Sequence, residues 1–368
     1  MKTFSIVSIL AFLLSGLPLA IANDSSNSVQ PESAAKLKYV ELSQLGNPAD
    51  VLVVKMATPR LLRGSEVRVK VLATPIHPSN LLQISGNYGY DPVLPSTPGS
   101  EGVGQVVETS AEVTHLAVGQ LVLLAGGGTW RDEIVAPAAS FIPLPDLGTP
   151  NTEVIEQLSM ATVNPLAALL MLTTFAELKE GDWLVQSAAN SAVGGYLIQL
   201  AKQRGIKTIN VVRREGLTEQ LMSFGADVVL VDGPDLAEQI ARASKNAPVA
   251  LAIDAVGGET FSRLAKSLSY GGTIVAYGVL SGKPATLNTS VNIFNDIRIR
   301  GFWLSKWFET AGPKEKQAAF GQIIPLVVSG ALKANVDSRF SVEEIKKAVT
   351  RAAQGRINGK VLIVPNAY

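Results

Sequence analysis

The sequence predicts an α/β protein in two parts, a doubly wound parallel sheet joined to a mostly β unit, and three observations carry that prediction. Between residues 153 and 277, helix-length and strand-length apolar segments alternate. The strand segments there are continuous apolar runs, as strands covered on both faces are. Before residue 145, short strand-like runs stand between Gly and Pro clusters. With 368 residues, 47% of them hydrophobic and 17% charged, the chain has apolar content for two cores and is not disordered.

At the N-terminus, Lys2 precedes an apolar run over residues 4–14, then Gly16, Pro18 and the small-residue pattern Ala20-Ile21-Ala22. This is the layout of a secretory signal peptide over residues 1–22, and its lack of arginine separates it from a mitochondrial presequence. An uncleaved membrane anchor is the alternative; no later run approaches the roughly 20 apolar residues that a span needs. The polar stretch 23–36 is expected to be a disordered tether. Removing residues 1–22 takes away Lys2 and leaves 31 basic against 31 acidic residues. That balance does not describe a nucleic-acid surface. With no cysteine, the chain has neither disulfides nor thiolate chemistry.

Residues 66–72 (EVRVKVL) alternate apolar and charged side chains, the pattern of a half-buried antiparallel strand. With further short runs at 104–107 and 120–124 they assign 37–158 to the β unit. A helix is expected over 153–172, then strand 183–187, helix 193–204, strand 208–212, a helix ending at 224, and strand 227–231. A helix at 237–243, strand 250–255, another helix and strand 272–277 complete a nucleotide-binding sheet of Rossmann type over 159–302. After 297–303 the chain returns to mixed character and ends in an apolar strand, 360–364. The segment 303–368 is too small for a core of its own and is assigned back to the β unit.

Strand 183–187 runs into AANSAVGG, residues 188–195, and then into a helix. Such a turn presents backbone N–H groups at the positive end of a helix, where a pyrophosphate binds. The usual G-x-G-x-x-G is eroded: Gly194 holds the third place, and Ala and Ser residues stand at the first two. Alone, the turn reads equally as a plain strand-to-helix connection. The next strand, however, ends in Arg213-Arg214-Glu215, beginning 19 residues after Gly194. An acidic residue there would hold the ribose hydroxyl of NAD; arginines suit a 2′-phosphate and predict NADPH, the alternative being a solvated charge run.

A zinc site needs about four thiolate, imidazole or carboxylate ligands, and this chain has no cysteine and two histidines, His77 and His115. No metal is expected, and His77 is read as a cleft or packing residue rather than a general acid.

The segments PSNLLQISGNYG, LPSTPGSEGVGQVV, GTWRDE, TVNPLAALLML, ANSAVG, TINVVRR, DAVGG, AYG and RGFWLSKW resemble the medium-chain dehydrogenase/reductases over residues 39–364. The likeness is greatest to the zinc-free branch of trans-2-enoyl-CoA/ACP reductases and quinone reductases. The resemblance implies a GroES-like catalytic domain beside the Rossmann domain, with Tyr88 as proton donor and Asn164 beside the nicotinamide. It places Asn190, Ser191, Ala192, Val193 and Gly194 at the pyrophosphate and Arg213, Arg214 and Glu215 at the 2′-phosphate. Tyr277, Gly278, Val279 and Leu280, together with Phe302, Trp303 and Leu304, become cofactor-side walls, and Lys360 a late cofactor contact. A homodimer is implied too. Where the family reads N-P-S-D, this chain has His77-Pro78-Ser79-Asn80.

Reducing a conjugated C=C bond takes a hydride at the β carbon and a proton at the α carbon. A phenol keeps its proton at neutral pH and can give it up as the enolate forms. In isolation Tyr88, in QISGNYGYDP, would be a packing residue of a Gly-rich loop; the resemblance and the lack of thiol or metal alternatives make it the donor. Tyr90, followed by Asp91-Pro92, is placed on the loop exterior. Three functions stay open: an NADPH-dependent reductase of enoyl thioesters, a quinone or enone oxidoreductase, and an exported nucleotide-binding protein without turnover. The exported fraction should carry a chain that begins near Asn23; N-terminal sequencing that finds Met1 on a cytoplasmic protein would refute export.

Overall fold

The computed structural model describes residues 36–355 and 357–366. The expected signal peptide, and the expected tether except Lys36, lie outside the described residues. Strands β1 (Leu37–Leu42) and β2 (Leu52–Ala57) form an antiparallel hairpin. They are followed by β3 (Glu66–Pro75), β4 (Gly102–Thr109), β5 (Leu121–Leu124), β6 (Glu133–Pro137) and β7 (Phe141–Pro143). Residues 66–72 lie in a central strand rather than a half-exposed one, because β3 pairs antiparallel with both β4 and β6. One of its charged positions is covered as well, with Glu66 and Lys70 half-buried: Arg68 is buried, with Nε 2.7 Å from Glu108 and Nη1 3.4 Å from Glu133.

The next six strands are β8 (Trp183–Gln186), β9 (Lys207–Val212), β10 (Val228–Val231), β11 (Val249–Asp254), β12 (Thr273–Ala276) and β13 (Arg298–Gly301). All pair in parallel, in the order β10-β9-β8-β11-β12-β13. Counted from β8 this is 3-2-1-4-5-6, the doubly wound order whose switch point lies between β8 and β11. Neighbouring side chains on a strand point to opposite faces. Leu184, Leu251, Ile253 and Val275 therefore pack with helices Asn164–Thr174 and Ala192–Gln203. Val185, Ile209, Ala252 and Ile274 pack on the other face with helices Leu236–Ala243 and Gly258–Lys266.

The single helix expected over 153–172 is two helices, Thr152–Ser159 and Asn164–Thr174, bent 55° at the break. Two causes converge there. Pro165 has no N–H to donate and suits a helix's first turn, so a helix starts there rather than running through it. The amides of Thr162 and Val163 are also taken by a residue far away in sequence, the Glu101 carboxylate, at 2.7 and 2.9 Å.

The C-terminal strands β14 (Val336–Phe340) and β15 (Lys360–Ile363) join the N-terminal sheet, whose order is β14-β15-β3-β4-β5-β7 with β6 on β3. Two buried glutamines, Gln157 on the helix Thr152–Ser159 and Gln199 on the helix Ala192–Gln203, tie down the approach to β14. The Gln157 amide pairs both ways with the Ala334 backbone at 2.8 and 2.9 Å, and that of Gln199 with Lys333 at 2.9 and 3.0 Å. Removing either would strand two backbone groups.

Candidate functional site

Strand β8 is followed directly by Ser187, and the turn that begins there is held at both ends. Ser187 Oγ donates to the buried Asp254 carboxylate (2.6 Å), which also accepts from the amides of Val256 and Gly257. This locks the ends of β8 and β11 together at the switch point. Ala188, just before the first place of the fingerprint, then takes a left-handed conformation (φ +48°) of the kind that glycine adopts most easily. Ser191 caps the helix Ala192–Gln203 by accepting from the Gly194 amide at 3.1 Å. Gly194 is required by contact: a Cβ there would lie 2.4 Å from the Ala189 carbonyl oxygen.

Beside this turn lies a cavity of about 260 Å³. Asn190, Ser191 and Ala192 line it, with Arg213 and Arg214 from the end of β9, Lys333 and Asn335 before β14, and Lys360 at the start of β15. Four cations and no carboxylate line the cavity. Neither Arg213 nor Arg214 forms an ion pair among the described residues. Exposed guanidiniums beside a helix N-terminus suit a polyanion such as a phosphorylated dinucleotide.

Lys360 reaches the cavity from inside the protein. The backbone before it passes so close to Asn335 that a Cβ on Gly359 would lie 2.3 Å from that carbonyl oxygen, at φ +132°. The lysine is buried, its Nζ lies 2.9 Å from His77 Nδ1, and burial pushes its pKa down to about 8. A phosphate in the cavity would favour the charged form. His77 Nε2 lies 2.7 Å from Glu101 Oε1, and its pKa is lowered by burial and then by the Lys360 charge. Glu101, fully buried, accepts with its other oxygen from the Thr162 and Val163 amides and the Thr162 hydroxyl (2.9 Å). Asn164 comes next and is buried, with a side-chain Nδ2 that finds no partner.

A second cavity, of about 540 Å³, is lined by Tyr88, Gly89, Ala276, Tyr277, Gly301, Phe302, Trp303 and Lys306. The Trp303 indole N–H donates to the Tyr88 hydroxyl at 3.0 Å, and the two rings meet edge to face, with centroids 6.2 Å apart. Tyr90 is exposed as expected, yet its ring packs edge-on to Tyr88 at 5.5 Å. Tyr277 belongs to both regions: its ring lines this cavity, while its hydroxyl hydrogen-bonds Ser191 in the turn. Burial raises its pKa, so the phenol stays neutral.

Of the residues singled out from sequence, Asn190, Ser191, Ala192, Arg213, Arg214 and Lys360 thus gather in one cavity and Tyr88, Tyr277, Phe302 and Trp303 in the other. Asn164, Val193, Gly194, Glu215, Gly278, Val279, Leu280 and Leu304 line neither. Sequence reasoning missed Glu101, Lys333 and Asn335. A glutamate inside a Gly-rich stretch was the one signal available for the first. Among the described residues no group of three His, Asp or Glu side chains could hold a metal ion.

Residues 63–146 match the alcohol dehydrogenase GroES-like domain and residues 192–320 the zinc-binding dehydrogenase family. The chain is 35% identical to the human mitochondrial enoyl-[acyl-carrier-protein] reductase over 93% of its own length and 91% of that protein. It is 36% identical to the Arabidopsis thaliana counterpart over 80% of each. A solved Etr1p complex with NADP and crotonyl-CoA superposes with a TM-score of 0.81 at 29% identity, covering 90% of this chain and all of that one. A structure described as an NADPH:quinone reductase from Bacillus thuringiensis superposes equally, at 0.81 and 30% identity over the same shares.

Titration with the two reduced dinucleotides checks the cation-lined cavity. NADPH should bind much more tightly than NADH, and replacing Arg213 and Arg214 together by Ala should erase most of the gap. A charge-assisted contact of this kind is worth about 1.5 to 3 kcal/mol. Equal affinity of the unmutated protein for both cofactors would remove the 2′-phosphate assignment.

Proposed function

This chain belongs to the medium-chain dehydrogenase/reductase superfamily, with the mitochondrial-type enoyl-[acyl-carrier-protein] reductases, and on that premise we propose that it reduces the conjugated C=C bond of 2-enoyl thioesters with Tyr88 as proton donor. It is an NADPH-dependent oxidoreductase. The residues fit that cofactor on their own evidence: Arg213 and Arg214, in no ion pair among the described residues, line a cavity with Lys333 and Lys360 beside the N-terminus of the helix Ala192–Gln203. When bound, NADPH supplies the hydride. The chain has no cysteine and two histidines, so it holds no set of zinc ligands of the usual kind.

The observation that carries the proposal is the Trp303 to Tyr88 hydrogen bond. An indole nitrogen is only a donor, so the Tyr88 oxygen must be the acceptor. The phenolic proton is thereby left free for an acceptor in the cavity, and the indole N–H remains in place to hold the oxygen once that proton has gone. An enolate formed by hydride addition at the β carbon takes this proton at the α carbon. Phe302 and the Tyr277 ring give that cavity an apolar wall.

Reduction of quinones is the second reading, supported by the likeness to the Bacillus thuringiensis protein. Reduced quinone oxygens protonate readily from water, so that chemistry asks little of Tyr88. A homodimer is supported by β13, an exposed edge strand, with Ile293 and Phe294 exposed on the helix before it. Open strand edges favour pairing. The related Etr1p and Etr2p of Candida tropicalis form a heterodimer. The apolar run and the Ala20-Ile21-Ala22 pattern support export.

Steady-state kinetics of Tyr88→Phe test the assignment. The change deletes one hydroxyl and keeps the ring, so NADPH binding should persist while kcat on a crotonyl thioester falls by about 10²- to 10⁴-fold. Tyr90→Phe should turn over like the unmutated protein, and quinone reduction should scarcely change. Unchanged turnover of Tyr88→Phe on every accepted enoyl substrate would reduce Tyr88 to a loop residue.

A further inference from the structure

The proton transfer just described makes no use of His77, although it is 2% exposed and sits between two charged groups that are buried too, Glu101 and Lys360. It also stands in the four-residue stretch, His77-Pro78-Ser79-Asn80, where this chain departs from the family pattern. Local structure accounts for the stretch. His77 precedes the helix Pro78–Ile84; its backbone N–H donates to Asn80 Oδ1 at 2.8 Å, and the Asn80 amide turns on to Ser100 Oγ at 2.6 Å. Asn80 thus fixes the backbone, and the imidazole is left facing Lys360 and Glu101 alone among charged groups.

We propose that His77 is a positioning residue that holds Lys360 at the floor of the dinucleotide cavity, joining it through one imidazole to the carboxylate that also anchors Asn164. The tautomer follows from the partners. An ammonium is only a donor, so Nδ1 accepts from Lys360; Nε2 then carries the hydrogen and donates to Glu101. The ring is neutral, and its two neighbours balance each other across it. Its width keeps the ammonium from collapsing onto the carboxylate, which leaves the remaining N–H bonds of Lys360 for the cavity. The other carboxylate oxygen grips the Thr162 and Val163 amides immediately before Asn164. One hydrogen-bonded line therefore runs from the phosphate-binding cavity to the start of the helix Asn164–Thr174.

This inference rests on the NADPH reading, and the experiment separates the two. Dissociation constants for NADPH are measured by fluorescence titration on the unmutated protein, His77→Leu, His77→Gln, Lys360→Met and the His77→Leu/Lys360→Met double variant. Steady-state constants on an enoyl thioester and melting curves accompany them. His77→Leu should weaken binding about 10- to 100-fold, as loss of a charge-assisted partner does. The double variant should bind no more weakly than the worse single one, because both act through the same ammonium. A glutamine amide offers an acceptor to Lys360 and a donor to Glu101, so His77→Gln should bind within a few-fold of the unmutated protein. The KM for NADPH should rise in His77→Leu with kcat largely kept. Unmutated affinity in a folded His77→Leu, or additive losses in the double variant, would overturn the assignment. If His77→Leu does not fold, the comparison passes to Lys360→Met: it should lose affinity, and the addition of His77→Gln should cost nothing further; unmutated affinity in Lys360→Met overturns the proposal. Failure of the unmutated protein to bind NADPH would instead overturn the cofactor reading, and this assignment with it.

Discussion

The Glu101 carboxylate is the point on which the site depends. It has no exposed surface, and a carboxylate in that position is tolerable only if its lone pairs are filled. They are: His77 on one oxygen, and the Thr162 amide, Thr162 hydroxyl and Val163 amide on the other. Each of those contacts decides something else. The two amides go to Glu101 instead of continuing a helix, so the chain breaks there and a new helix begins at Asn164. The histidine passes the interaction on to Lys360 and the anion cavity. A carboxylate from the GroES-like domain thereby sets the entry helix of the Rossmann domain.

A comparable device operates at the switch point. The phosphate turn lacks the glycines that usually permit its shape, and Ala188 takes the left-handed conformation at a cost of about 1 kcal/mol. Contacts on both sides offset this. Asp254 holds Ser187 and the turn after β11, and Tyr277 holds Ser191. Tyr277 also lines the second cavity, so one side chain joins the wall of that cavity to the phosphate turn.

Much of this was legible in the sequence, for a physical reason. Parallel strands covered on both faces must be apolar throughout, so β8 to β12 announce themselves within a residue or two. Arg213 and Arg214 declare themselves by their distance from Gly194, because one βαβ step sets that distance. The break between Ser159 and Asn164 did not show, because it depends on a carboxylate some 61 residues earlier. Ala188 did not show either, since its conformation is imposed by Asp254 and Ser187 across two strands. Strand β3 kept its alternation but not the exposure that alternation suggests, because strands from both ends of the chain close over it. Lys333 and Asn335 lie in a stretch with no motif and reach the cavity only because Gln157 and Gln199 hold that stretch in place.

Tyr88, the cation-lined cavity and the Glu101 network have one joint consequence, reduction of a conjugated thioester. The direct measurement is NADPH oxidation by the purified protein with crotonyl-CoA, with identification of the product, beside the same assay with a quinone. Stoichiometric conversion of the crotonyl to the butyryl thioester, one NADPH consumed for each, is the predicted result. Tight NADPH binding with no turnover of any enoyl thioester, or turnover confined to the quinone, would contradict it.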